Sequence, residues 1–202
     1  PVAVFLISDD LRSNVQSIMQ YLYQQDVDVR IISGDDPTTV SGLAQKAGVL
    51  HADACVDLST TDLDYDELTE KYTVFGRVLP DQKKKLVQAL QKKGHTVAMT
   101  GDGVNDVPAL KCADVSIAMA SGTDAARDSS NVVLLDDDFG VIPDIVNEGR
   151  RVINNISRAS SMYLVKTCFS VFLSLFVIIV GQPYPFVPIH LTLISALGVG
   201  IP

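Results

Sequence analysis

The chain has 202 residues, 16 of them Lys or Arg and 24 Asp or Glu, for a net charge of -8. That balance leaves no basic face to meet phosphodiesters, so nucleic acid is excluded as a partner. Three widely spaced cysteines, Cys55, Cys112 and Cys168, with no C-x-x-C, exclude a disulfide framework and a structural zinc and suit a reducing compartment. The charge is unevenly spread: no acid follows Glu148, and no charge of either sign follows Lys166. The chain therefore reads as an acidic soluble part followed by an apolar tail. It starts at Pro1 without an initiator Met and stops inside an apolar run, as expected of a piece cut from a longer protein.

In chain order, Val2–Ile7 is a β-branched run predicted as a strand, closed by Ser8-Asp9-Asp10. Leu11–Tyr23 places Val15, Ile18, Met19 and Leu22 on one helical face. Val27–Ile32 is the next strand, ended by Ser33-Gly34-Asp35, and Pro37 opens a helix that Gly48 stops. Ala54–Leu58 and Val74–Val78 read as strands on either side of a short helix over Asp62–Tyr72. Pro80 opens the helix Asp81–Lys93, stopped by Gly94, and the strand Thr96–Thr100 follows. Val115–Met119 and Val132–Leu135 complete the strands, with a short helix around Asp124–Arg127 between them. Strands alternating with helices over short loops predict an α/β fold with a doubly wound parallel sheet.

From Gly140 the pattern changes to one long helix, Pro143–Gly181, roughly 58 Å if continuous. Its first half carries Glu148, Arg150, Arg151 and Arg158; its second half, Met162–Gly181, carries one charge and is about as long as a bilayer is thick. A turn at Gln182–Pro185 leads to a second apolar run from Phe186, so a transmembrane helical hairpin is expected. The arginines flank the first span on the side of the acidic domain, which places residues 1–161 in the cytoplasm of a multi-pass membrane protein. The expected divisions are 1–139 for the α/β part, 140–161 for a stalk helix, 162–181 for a span and 186–202 for the start of another.

The richest stretch is Thr100–Leu110, T-G-D-G-V-N-D-V-P-A-L. Asp102 sits where a strand ends and Asp106 on or just before the next helical turn, with Asn105 between them. In an open α/β sheet ligands gather at the carboxyl ends of strands. Two acids there suit Mg²⁺, which takes oxygen ligands and keeps water or phosphate as co-ligands. Taken alone, the stretch is also consistent with a turn and a helix whose acidic first turn suits the macrodipole. Ser33-Gly34-Asp35 offers a hydroxyl and backbone N–H groups to phosphate, or simply a turn with a helix cap. Lys83 can neutralise charge on a transferred phosphoryl group, or belong with Lys84 and Lys85 to a solvated face that adds little to stability.

In this order, S-G-D, R-V-L-P-D-Q-K and G-D-G-V-N-D-V-P-A-L resemble the haloacid dehalogenase superfamily, and within it the phosphorylation domain of the P-type cation-transporting ATPases. The resemblance runs nearly end to end. Asp9–Arg12 stands for a D-P-x-R segment, Ser33–Asp35 for T-G-D, Arg77 and Lys83 for R-x-x-P-x-x-K, and E-G-R-R-V-I-N-N at Glu148–Asn155 for the stalk. The tail is similar to a bacterial subgroup of cation pumps, with calcium a candidate ion.

The resemblance implies a HAD-like (Rossmannoid) fold and an ATPase that couples hydrolysis to cation transport. Lys83, Asp102 and Asp106 would be catalytic, with Mg²⁺ on Asp102 and Asp106. ATP would be held through Ser33, Gly34, Asp35, Arg77, Lys83 and Asn105. The family's D-K-T-G-T, with its nucleophilic Asp, occurs nowhere here, nor do the nucleotide-binding and actuator domains. This stretch alone is expected to be inactive, with those parts of the protein, the bilayer and the transported cation as partners.

Two other readings use the same residues: a membrane-anchored phosphatase of the superfamily, which would need its own D-x-D or D-x-T nucleophile loop and has no convincing one, and a non-catalytic regulatory protein with a phosphate pocket. In the spans, Lys166, Thr167, Ser170 and Ser195 are candidate ion-path residues. Thr167, Ser170 and Ser195 fall where calcium pumps carry amide or carboxylate ligands. Lys166 either acts as a fixed internal cation or snorkels to the interface.

Overall fold

The computed structural model describes residues 11–12, 14–60, 64–181, 183, 185 and 188–195. The strand expected over Val2–Ile7, and Ser8, Asp9 and Asp10 after it, lie outside the described residues. The chain divides into two compact units, Pro1–Pro143 and Asp144–Pro202.

In the first unit, α1 (Val15–Gln24) precedes β1 (Ile31–Ile32), α2 (Pro37–Ala47), β2 (Cys55–Asp57), α3 (Tyr65–Lys71), β3 (Val74–Gly76) and α4 (Pro80–Lys92). Next come β4 (Ala98–Gly101), a 3₁₀ turn (Val104–Asp106), α5 (Val107–Leu110), β5 (Val115–Met119), α6 (Asp124–Asp128), β6 (Val132–Leu134) and a 3₁₀ turn at Phe139–Val141. Helix boundaries follow local chemistry. Asp36 caps α2 by accepting the Thr38 N–H at 3.0 Å, Pro37 occupies its first turn, and Gly48 ends it in the left-handed region at φ 84°. Gln82 caps α4 by accepting the Leu79 N–H through its side-chain oxygen at 2.8 Å.

The strands are shorter than their apolar runs. Val27 lies past α1 and is tied back to it, its N–H donating to the Leu22 carbonyl after Asp26 turns left-handed at φ 57°. Val97 gives its N–H to the Asp114 carboxylate at 2.8 Å, so β4 starts one residue later. Arg77, left-handed at φ 51°, ends β3 before Val78.

All four pairings among the described residues are parallel, as expected, but they make two three-stranded sheets rather than one: β1-β3-β2, and β4-β5-β6. Helix α4 serves both. Its Leu86 packs with Val56, Leu68, Phe75 and Val78, while the adjacent Val87 packs with Met99, Ala109, Leu110 and Ala126. Both side chains are essentially inaccessible, worth about 1.5–3 kcal/mol each in apolar transfer.

Parallel pairing puts the strand ends Ser33, Asp57 and Arg77 on one edge of the first sheet, and Asp102 and Ala120 on one edge of the second. After β6, Asp137 and Asp138 gather the neighbouring loops. Asp137 accepts the Ser121 N–H at 3.0 Å, its carbonyl accepts from Arg12, and Asp138 accepts from Gly140 N–H at 2.8 Å and Asn14 at 2.9 Å.

These hydrogen bonds hold both carboxyls below the usual Asp range: the Ser121 N–H chiefly for Asp137, the Gly140 N–H chiefly for Asp138. Ser59 does the same for Asp57. A depressed carboxyl stabilises the fold fully above its unfolded value of about 3.9, and that contribution is lost as the pH falls through the folded value. The thermal midpoint is therefore expected to drop below about pH 4, and Asp138→Asn to flatten that drop. An acid profile identical to that of the unaltered protein would remove Asp138 from this account.

The second unit consists mainly of α7 (Ile142–Val180), a 39-residue helix that begins in the last residues of the first, together with α8 (Pro188–Ser195). Among the described residues α7 is the one helix long and apolar enough to cross a membrane, and none of its apolar window is buried in protein. The second expected span is described only over α8.

Candidate functional site

Chain order puts Lys83 and Asp106 far apart; folding joins them. The first turn of α4 aims Lys83 at the turn after β4, where its Nζ lies 2.6 Å from Asp106 Oδ1. The other oxygen of Asp106 accepts the Gly103 N–H at 3.2 Å. Both side chains are withdrawn from solvent, at 12% and 10% exposure. Of the two readings of Lys83, this leaves out the solvated face. Lys83 is one half of a largely buried ion pair, and removing either half strands the other.

The pair needs Gly101: a Cβ there would stand 2.5 Å from Asp106 Cβ. Here the glycine is a matter of close approach, not of backbone freedom.

Asp102, one residue on, is exposed at the strand end. Its backbone is held from the opposite side by the β5–α6 loop. Thr123 donates to the Asp102 carbonyl through its N–H at 2.8 Å and its hydroxyl at 3.3 Å. A Cβ on Gly122 would lie 2.9 Å from the same oxygen. Sequence reasoning missed Gly122 and Thr123, although a G-T following a strand in a parallel sheet is itself a signal of an edge loop. Asn105 is exposed on the turn between the two acids.

The donor set can be compared with the demands of Mg²⁺. No three His, Cys, Asp or Glu side chains converge among the described residues, so there is no all-protein cage. A cation that keeps several waters and phosphate oxygens needs only one or two carboxylates. Asp102 is open to such an ion, whereas both oxygens of Asp106 are engaged, by Lys83 and by Gly103. The chemistry fits with Asp102 as the direct ligand.

The other cluster lies at the ends of the first sheet. Ser33 Oγ accepts the Asp35 N–H at 3.1 Å and faces Asp35 Oδ2 at 3.1 Å, while Gly34 is exposed at the apex. The loop is fastened to β3–α4, since Val78 N–H donates to the Ser33 carbonyl at 3.0 Å and Arg77 N–H to that of Asp35 at 2.8 Å. The Arg77 guanidinium pairs with Asp57 at 2.9 Å and Asp36 at 3.0 Å, two carboxylates that sequence reasoning did not single out. Contacts thus run from the Ser33–Asp35 loop through Arg77–Val78 and the start of α4 to Lys83, Asp106 and Asp102, ending at Thr123.

The candidate ion-path residues lie elsewhere. Lys166, Thr167 and Ser170 are on α7, and the Thr167 hydroxyl donates to the Tyr163 carbonyl at 2.9 Å, satisfied within its own helix. Ser195 ends α8, and its side chain lies outside the described residues.

Residues 1–114 match the haloacid dehalogenase-like hydrolases. The whole chain is 44% identical to part of a probable cation-transporting ATPase of Streptococcus pneumoniae and 43% identical to part of a calcium-transporting ATPase of Mycobacterium tuberculosis. A calcium-transporting ATPase of Bacillus subtilis is 34% identical over 97% of the chain. The chain spans 27% of the length of each of the first two relatives and 23% of the third.

Among solved structures, the catalytic domain of the CPx-ATPase CopB-B covers 69% of the chain, and the chain 46% of it, at 26% identity and a TM-score of 0.55. A zinc-transporting PIB-type ATPase in its E2·Pi state covers 95% of the chain, and the chain 26% of it, at a TM-score of 0.69; at 24% identity this likeness speaks for the fold.

Proposed function

The chain belongs to the haloacid dehalogenase-like hydrolase family, and from that premise we propose that it is the phosphate-handling half of the phosphorylation site of an ATP-driven cation pump. It matches the phosphorylation-domain region of cation-transporting P-type ATPases, and a helix long and apolar enough to cross a membrane comes after it in the sequence. The single observation that carries the reading is the buried Lys83–Asp106 pair beside the exposed Asp102 at a strand end.

In the reaction proposed, a carboxylate from the missing part of the protein attacks the γ-phosphorus of ATP. The bond to the β–γ bridging oxygen breaks, ADP leaves, and water later releases phosphate from the acyl phosphate. Lys83, fixed by Asp106, neutralises charge on the equatorial oxygens of the transferred group. The Ser33 hydroxyl and the Gly34 N–H orient its oxygens, with the Asp35 N–H holding Ser33 Oγ in place, and Asn105 stands exposed on the turn between Asp102 and Asp106. Mg²⁺, when bound through Asp102, offsets charge on the phosphoryl oxygens.

Residues 1–161 are assigned to the cytoplasm, and the apolar half of α7 from Met162 to one span of a multi-pass membrane protein. Two relatives are named as calcium transporters, which makes calcium the candidate ion. Its acidic ligands then come from spans outside this chain, because no Asp or Glu follows Glu148. The phosphatase and regulatory readings draw support from none of these relatives.

The experiment is phosphorylation of the full-length protein by ATP. Asp102→Asn is expected to abolish phosphoenzyme formation at ordinary Mg²⁺, because the metal loses a charge and a ligand. Normal phosphorylation with unaltered Mg²⁺ dependence would remove Asp102 as the ligand.

A further inference from the structure

We propose that Thr123 is a positioning residue for Asp102: by fixing the carbonyl of that residue, the loop between β5 and α6 aims its carboxylate at the metal. The inference rests on the Mg²⁺ reading above and deepens it, since it names what holds the proposed ligand in place.

The two acids of the site are held in opposite ways. Asp106 is fixed at its oxygens, by Lys83 at 2.6 Å and by the Gly103 N–H at 3.2 Å. The Asp102 carboxylate has no such partner among the described residues. Asp102 also lies one position past the last β4–β5 pair, Gly101 with Ala118. What fixes it is its own carbonyl, which accepts the Thr123 N–H at 2.8 Å and the Thr123 hydroxyl at 3.3 Å. Both lone pairs of that oxygen are thereby used. The carboxyl group of an aspartate stands just beyond Cβ, so a shift of its backbone passes to the carboxylate almost undiminished.

The direction of the hydroxyl is set by its two neighbours. The Ala126 N–H, at 3.4 Å, can only donate to it, and the Asp102 carbonyl can only accept from it. One oxygen therefore caps α6 and points its proton at Asp102.

The loop that carries Thr123 is itself fully tied. Ala120 N–H donates to the Leu134 carbonyl at 3.0 Å, Ser121 N–H to Asp137 at 3.0 Å, and Gly122 N–H to the Met119 carbonyl at 3.1 Å. The Arg127 guanidinium donates to the carbonyls of Ala120 and Gly122. Gly122 brings the loop against β4: a Cβ there would stand 2.9 Å from the Asp102 carbonyl oxygen and 3.1 Å from Asp102 Cα. A rigid loop in close contact with the backbone of one residue is the arrangement that holds a ligand from its outer side.

The competing role for Thr123 is the cap alone, and the test separates the two. The probe is Mn²⁺, which takes the same octahedral oxygen shell as Mg²⁺. Its uptake by the full-length protein is followed by electron paramagnetic resonance, with inorganic phosphate present and no ATP. The site counted is the one that Asp102→Asn removes, which sets aside metal taken up elsewhere. Thr123→Val is expected to weaken that site about five- to tenfold, and Gly122→Ala by at least about tenfold. Thr123→Ser, which keeps the hydroxyl, should stay within about twofold of the unaltered protein. Ala125→Gly is the control for the cap. It lowers the thermal midpoint through helix propensity much as Thr123→Val does through the lost cap, yet should leave the metal site unchanged. With ATP, Thr123→Val should need more Mg²⁺ for half-maximal phosphorylation and regain the full level when Mg²⁺ saturates.

Unaltered Mn²⁺ affinity in Thr123→Val would overturn the proposal, as would equal weakening in Ala125→Gly, which would reduce Thr123 to a cap. Should Gly122→Ala fail to fold, the Thr123 series decides. Asp102→Asn that removes no Mn²⁺ site would instead refute Asp102 as the ligand, and that failure is visible before any loop variant is made.

Discussion

Replacing Lys83 by Ala is expected to lower kcat of the full-length protein by at least about 10²-fold and its stability by about 2–4 kcal/mol. The two losses have different origins. The rate loss reflects a missing positive charge on the phosphoryl oxygens. The stability loss reflects Asp106, which would keep its burial and its Gly103 hydrogen bond but lose the ammonium 2.6 Å away.

A double variant separates them. Lys83→Met with Asp106→Leu replaces the buried pair by apolar side chains of similar reach, a change that is often neutral or stabilising. Its thermal midpoint should recover while its activity stays lost. Undiminished turnover of Lys83→Ala, measured as ATP hydrolysis, would take Lys83 out of the site. A double variant as unstable as the single one would mean that the pair is not what Lys83→Ala breaks.

Gly101→Ala is expected to be nearly as damaging without replacing any charged residue. The added Cβ would meet Asp106 Cβ at 2.5 Å, Cγ at 2.8 Å and Oδ2 at 2.9 Å. The Asp106 side chain is short and already fixed at both oxygens, so the strain passes to the backbone between residues 101 and 106. Overpacking of this kind costs about 1–3 kcal/mol. The displaced Asp106 should also drag Lys83 out of place and lower kcat by about tenfold or more.

Gly42 is the control. It lies within α2 with nothing inside 4 Å of an added Cβ, so Gly42→Ala should raise the thermal midpoint through helix propensity worth up to about 1 kcal/mol. If Gly101→Ala and Gly42→Ala behave alike in midpoint and turnover, close packing on Asp106 is not limiting.

Local signals made much of this molecule legible in one dimension. Pro37 with Gly48, and Pro80 with Gly94, bracketed two helices because a fixed φ suits a first turn and a left-handed glycine suits an end. Short apolar runs marked all six described strands to within a few residues, and alternation with helices implied parallel pairing. The charge break after Lys166 singled out the apolar half of α7, since an uncharged segment of that length has few places to go but lipid. The motif around Asp102 and Asp106 put the site at a strand end, because loops that bear ligands collect there.

Tertiary structure alone decided which groups meet. Whether Lys83 faced solvent or a carboxylate depended on how α4 packs between the two sheets through Leu86 and Val87, a choice invisible in a run of three lysines. Arg77 showed the motif spacing of a ligand residue; its partners Asp36 and Asp57 lie 41 and 20 positions away and are brought together by parallel strands. Gly101 looked like a turn glycine and Gly122 was missed; their role is space for Asp106 and for the Asp102 carbonyl. Periodicity and capping are local and can be read along the chain. Burial and ion pairing depend on contacts between distant segments, so they are settled only when the core closes around them.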